Sequence, residues 1–139
     1  MLRICLSLLL IISSWFAAGC NSRSTDDTAT WQRSELYFGL SRRGGGDIPE
    51  ADWKDFVTNQ VAPAFPGGFT ELIAFGHFRE DGASKAEPVR VLVFLNPTSK
   101  AEAVGRKLDA LGKAYCTRFG QDAVLRADSP TNLTFLRAE

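Results

Sequence analysis

Residues 89–95 read Val-Arg-Val-Leu-Val-Phe-Leu, and this stretch decides the fold. Val89, Val91, Val93 and Leu95 fall on one side of an extended chain, and Arg90, Leu92 and Phe94 on the other. β-Branched and aromatic groups at a period of two predict a strand, and Asn96-Pro97 stops it. Neither side of this strand is polar, so both sides need cover.

Working outward from it, Glu80–Pro88 contains Asp81-Gly82 and predicts a hairpin loop. Phe69–Arg79 (FTELIAFGHFR) has the composition of a long strand before that loop. Further upstream, Asp47-Ile48-Pro49-Glu50 has the pattern of a capping box, followed by Trp53, Phe56, Val57 and Val61 at helical spacing. Pro63 and Pro66 are expected to end that helix. Residues 34–41 (SELYFGLS) form a first strand that stops at Arg42-Arg43-Gly44-Gly45-Gly46. Downstream, Thr98 or Ser99 opens a helix to about Phe119, with Val104, Leu108, Leu111, Tyr115 and Phe119 as its buried stripe. Gly105 and Gly112 weaken it by about 1 kcal/mol each relative to Ala, and Gly120 suits its C-terminal cap. Val124–Ala127 and Leu133–Leu136 read as final strand, broken at Ser129-Pro130.

The element order is β-α-β-β-α-β. This predicts an α+β, ferredoxin-like fold, a four-stranded antiparallel sheet with two helices on one face. The other sheet face is left open. On the first strand, Leu36, Phe38 and Leu40 oppose Tyr37 and Gly39, so both faces carry apolar groups. A second subunit, an extra terminal segment or a ligand is expected to cover the second face.

The chain has 139 residues, with 16 Lys+Arg against 16 Asp+Glu, one His and three Cys. A zero balance gives no basic footprint, so no nucleic-acid partner is expected. The His and Cys count leaves no set for a metal site. Met1-Leu2-Arg3, an aliphatic run to Ile12 and the small residues up to Gly19 have the three parts of an export signal, too short to span a bilayer. Ala17-Ala18-Gly19-Cys20 resembles a bacterial lipobox, which implies cleavage before Cys20 and lipid (palmitate-type acyl chains) on that residue. The expected organisation is a signal peptide over 1–19, a lipidated Cys20 with a flexible tether over 20–30, and one domain over 31–139. The resemblance implies a bacterial cell-envelope lipoprotein held in the membrane by its N-terminal lipid. Asn21 after the Cys implies the periplasmic face of the outer membrane. Cys116 then lacks a disulfide partner and reads as a small apolar core residue.

Glu35-Leu36-Tyr37-Phe38-Gly39, Asp52-Trp53 with Phe56, Pro63–Thr70, Gly76-His77-Phe78-Arg79, and Tyr115 with Phe119 and Gln121 are similar to the bacterial domain of unknown function numbered 3574. The likeness covers Trp31 to Phe135. The family is exported and often lipid-anchored, and it implies no activity.

Among the residues that can carry chemistry, Glu71, His77 and Arg79 alternate along one strand and share a face. With Tyr37 on a nearby strand, they form the candidate catalytic group, His77 moving a proton and Arg79 holding a carboxylate or oxyanion. Arg42 and Arg43 beside the glycine loop are candidate anion-binding residues. That loop lacks the Lys-Ser/Thr of a phosphate-binding loop and the spacing of a dinucleotide fingerprint, so no cofactor is expected. Two functions follow. The first is a binding or assembly module that uses the open sheet face, as a homodimer or with an envelope partner. The second is a small enzyme of the dimeric α+β-barrel type, with a pocket near Tyr37, His77 and Arg79.

Overall fold

A computed structural model describes residues 30–42 and 44–138. The export segment 1–19, Cys20, the tether up to residue 29, and Arg43 lie outside the described residues.

Strand β1 (Trp31–Gly39) leads to helix α1, which runs as Glu50–Phe56, widens into a π-helical turn at Val57–Val61 and finishes at Ala62–Ala64. Strands β2 (Thr70–Glu80) and β3 (Ala83–Pro97) form a hairpin. A 3-10 turn at Thr98–Lys100 opens helix α2 (Ala101–Phe119), and β4 (Leu125–Thr131) closes the chain. The strands lie in the order β2-β3-β1-β4, and every neighbouring pair is antiparallel. This is the expected ferredoxin-like α+β arrangement.

Local chemistry explains where the elements differ from the sequence-based expectation. Asp81 and Gly82 both adopt positive φ, 51° and 79°, so two residues suffice for the turn. Glu80 and residues 83–88 therefore pair instead of looping, and the hairpin projects past Gly39, where β1 ends opposite Val89. The capping box is not formed. Pro49 is the extended N-cap of α1 without a side-chain bond, and Asp47 sits earlier, bridged to Ser41. The ring of Pro49 disfavours a helical conformation at Ile48, so the helix does not start from Asp47 and begins only after Pro49. Pro63 does not stop α1 but lies inside its last turn. A proline has no amide for the i−4 carbonyl, and the wider π turn just before it accommodates that loss. Leu133–Leu136 is not strand. Pro130 is tolerated within β4 because β4 is an edge strand.

The helices pack on one face of the sheet. Phe38 at the centre of β1 meets Trp53, Phe56 and Tyr115 with ring centroids 5.3, 5.9 and 4.7 Å away. Leu36, Leu92, Phe94, Leu108 and Leu111 complete this core. Each such side chain contributes about 1.5–3 kcal/mol when fully buried. The Tyr115 hydroxyl donates to the Gly39 carbonyl at 2.8 Å, and burial pushes its pKa upward, so the phenol stays protonated. Gly120 caps α2 with φ 68°. Phe65 plugs the core end against Phe94, with centroids 4.3 Å apart.

A polar seam joins α2 to β4. Arg126 Nη1 donates to the Gly105 carbonyl at 3.2 Å and to Asp109 at 2.8 Å, and its Nη2 lies 2.8 Å from Asp128. Asp128 also accepts from the buried hydroxyl of Ser34.

Candidate functional site

Strand register assigns each side chain to a face. On the helix side, Glu71 pairs across from Leu92, Ile73 from Arg90, His77 from Ala86 and Arg79 from Ser84. On the open side, Tyr37 pairs with Val91 and Glu35 with Val93. The sheet therefore separates Tyr37 from Glu71, His77 and Arg79. The pocket expected near Tyr37, His77 and Arg79 is not assembled within one chain, because Tyr37 has the opposite parity to the other three in the paired strands.

Glu71 has a structural partner set. Its Oε1 accepts from Trp53 Nε1 at 2.8 Å and from Arg90 Nη1 at 3.0 Å, and Arg90 also pairs with Glu50. His77 and Arg79 are exposed on the projecting hairpin, where Arg79 donates to the Gly82 carbonyl at 3.1 Å. Arg42 reaches Asp52 at 3.4 Å. It also lines a cleft of about 530 Å³ with Lys85, Glu87 and Gln121.

The open face carries a second group that no local motif announces. Val89, Val91 and Val93 form a stripe with Tyr37 and Ala74 packed against it. Beside the stripe, a pocket of about 420 Å³ is lined by Tyr37, Gly39, Gly76, Glu87, Gln121 and Leu125, among others. Two glycines open this space. A Cβ on Gly39 would stand 3.2 Å from Glu87 Oε1, and one on Gly76 would stand 3.3 Å from Val89 Cγ2. A methyl group at Gly39 would crowd the Glu87 carboxylate, and one at Gly76 would crowd Val89. The Glu87 carboxylate has no hydrogen-bond or ion-pair partner among the described residues. Gln121 is fixed at the rim through Nε2 to the Ser41 carbonyl at 2.9 Å.

Along β1 the polar groups are already paired. The Tyr37 hydroxyl donates to Glu35, and Arg33 Nε donates to the other Glu35 oxygen at 2.5 Å. The Tyr37 bond, then the Arg33 bond, hold the Glu35 carboxyl below the usual range. The same bond to Glu35 raises the Tyr37 pKa. Tyr37 is thus kept as a neutral donor and Glu35 as an anion. The charge left over in the pocket is that of Glu87, and Tyr37 and Leu125 line the same pocket. This arrangement can hold a small cation with an apolar body.

A family profile described as "Protein of unknown function (DUF3574)" matches residues 33–135. The chain belongs to the DUF3574 family. A search of curated proteins finds no match. Among solved structures, this DUF3574 domain is similar to a phage SAM lyase in complex with S-methyl-5′-thioadenosine. That match has 18% identity and a TM-score of 0.56, and covers 73% of this chain and 82% of that chain. A phage SAM lyase in the apo state gives 20% identity and a TM-score of 0.53, with 70% and 78% covered. CutA from Synechococcus elongatus PCC7942 gives 12% identity and a TM-score of 0.46, with 75% and 79% covered. At such identities the likeness to the two SAM lyase structures is one of fold.

Sequence reasoning missed Glu87, Gly39, Gly76 and Gln121 as a group in the DUF3574 chain. Glu87 fell in a segment read as loop. The usable signal was the pair of lone glycines inside apolar strands, which marks a close approach by another group.

Proposed function

We propose that this DUF3574 protein is a lipid-anchored component of the bacterial cell envelope, held through Cys20 on the periplasmic face of the outer membrane. Its open sheet face is a ligand-binding surface. The ligand class is a small organic cation with an apolar portion. One observation carries this reading, the Glu87 carboxylate, which has no partner among the described residues and is seated over Gly39 and Gly76 in a mainly apolar pocket. The proposed site lies wholly on the open face and uses Tyr37 without His77 or Arg79. The complex of the phage SAM lyase supports it at the level of fold, since a similar scaffold holds a small ligand.

The site is tested on the full-length protein by calorimetric titration with phenethylammonium and with uncharged 2-phenylethanol. The ammonium is expected to bind more tightly, and Glu87→Gln to remove the difference. Equal affinity for the two probes, or unchanged ammonium binding in Glu87→Gln, overturns the reading. The anchor is tested by Cys20→Ser and fractionation. The variant should leave the membrane fraction, and its retention there refutes lipidation at Cys20.

A further inference from the structure

Among the described residues, strand β2 forms one free edge of the sheet. It carries four of the eight large apolar side chains exposed among the described residues, Leu72 at 45%, Ile73 at 72%, Phe75 at 66% and Phe78 at 43%. By register, Leu72 and Phe78 lie on the open side, and Ile73 and Phe75 on the helix side. A partner laid on either face of the sheet would cover only two of the four. A strand added along the edge flanks all of them, and it also takes up the amides and carbonyls that point away from β3. The other edge, β4, is blunted by Pro130 and by the charged pair Arg126 and Asp128. β2 has no proline along its length.

We propose that β2 pairs antiparallel with β2 of a second copy of this chain, across a twofold axis at Phe75. Charge complementarity sets the register. With Phe75 opposite the partner's Phe75, Glu71 stands opposite the partner's Arg79, and the symmetry repeats this pair on the other side of the axis. On the open side, Leu72 meets the partner's Phe78, and Ala74 meets the partner's Gly76. A shift of two residues in either direction removes both Glu-Arg pairs.

The two charged groups are available for this contact. Trp53 and Arg90 both use Oε1 of Glu71, and its Oε2 accepts no hydrogen bond among the described residues. Arg79 spends one donor on the Gly82 carbonyl. His77 and Arg79, which fit no site within one chain, acquire a place at the interface. The product is one eight-stranded sheet, with the two open faces on the same side because a twofold axis normal to the sheet preserves faces. The edge contact rests on Glu71 and Arg79 and the ligand pocket on Glu87, so each can be refuted while the other holds.

The test uses the full chain purified from membranes in detergent. Light scattering is expected to give the mass of two copies. Phe75→Cys, in a Cys116→Ala background, should form a disulfide-linked dimer on a non-reducing gel. Directly opposed residues in an antiparallel pair have Cα atoms about 4.5–5.5 Å apart, within disulfide reach. Leu125→Cys on the opposite edge is the control and should link far more slowly. Arg79→Glu places like charges opposite each other twice, and should weaken association about tenfold while circular dichroism stays unchanged. A monomer at micromolar concentration, a trimer, or equal linking of the two cysteine variants overturns the proposal.

Discussion

The indole of Trp53 and the guanidinium of Arg90 meet on a single oxygen, Oε1 of Glu71, at 2.8 and 3.0 Å. Three elements, α1, β2 and β3, are joined at that atom. Arg90 is only 13% exposed, so its charge depends on Glu71 and Glu50. Glu71→Ala leaves a buried indole donor and a nearly buried cation without this acceptor. The expected loss is about 2–3 kcal/mol, read from urea denaturation. Glu71→Gln keeps an oxygen for the indole and should lose less. Equal losses for the two variants would show that the acceptor is not what matters.

Two glycines of α2 should respond in opposite directions to alanine. In an exposed helix, Gly→Ala stabilises by about 1 kcal/mol. At Gly112 a new Cβ would lie 3.6 Å from the Val124 Cβ, an ordinary contact, so the gain should appear. At Gly105 it would lie 3.1 Å from Arg126 Nη2, a group fixed by Asp109, Asp128 and the Gly105 carbonyl. Gly105→Ala should therefore destabilise. Thermal melting of the two variants checks the sign of each.

The same seam predicts an acid limb of stability. Burial alone would raise the Asp128 pKa, but donors from Ser34, Arg126 and Gln32 outweigh it and leave it below the ordinary value of 3.8. A carboxyl lowered on folding stabilises fully above its unfolded value, and that contribution is lost as pH falls through the lowered folded value. Stability measured from pH 5 downward should decline more steeply in the native protein than in Asp128→Asn. Parallel curves would assign the acid loss to other groups.

On the open face, Tyr37→Phe removes the leading cause of the lowered Glu35 pKa. Carbon-detected NMR titration should show Glu35 moving up toward the usual glutamate range. Arg33→Gln, which removes the second donor, should produce a smaller upward move in the same direction. A Glu35 titration unaffected by Tyr37→Phe would contradict the bond.

Much of this was legible in the sequence, and the illegible parts have physical reasons. The period-two run at residues 89–95, the Asp81-Gly82 turn and the α2 stripe each encode a local preference strong enough to survive packing. The order of elements follows from them. The grouping of Tyr37 with His77 failed because parity within one strand is written in its sequence, whereas the register between strands is not. That register depends on how β3 inserts between β1 and β2. The Ala83–Pro88 arm was missed because Ser84, Lys85, Glu87 and Pro88 are poor strand formers. They are held extended by pairing with β2. Glu87 went unnoticed with them.

Trp31 and Thr131 sit opposite each other at one end of β1, and Gly39 marks the other. Eight steps of about 3.3 Å put those ends about 26 Å apart. Chain entering at Thr30 and chain leaving after Thr131 thus both emerge at the base of the domain, while Glu87 and the projecting hairpin stand at its crown. The chain that leads back toward Cys20 therefore joins the domain at the end opposite Glu87, so an attachment made through that chain leaves the pocket at the far end of the sheet.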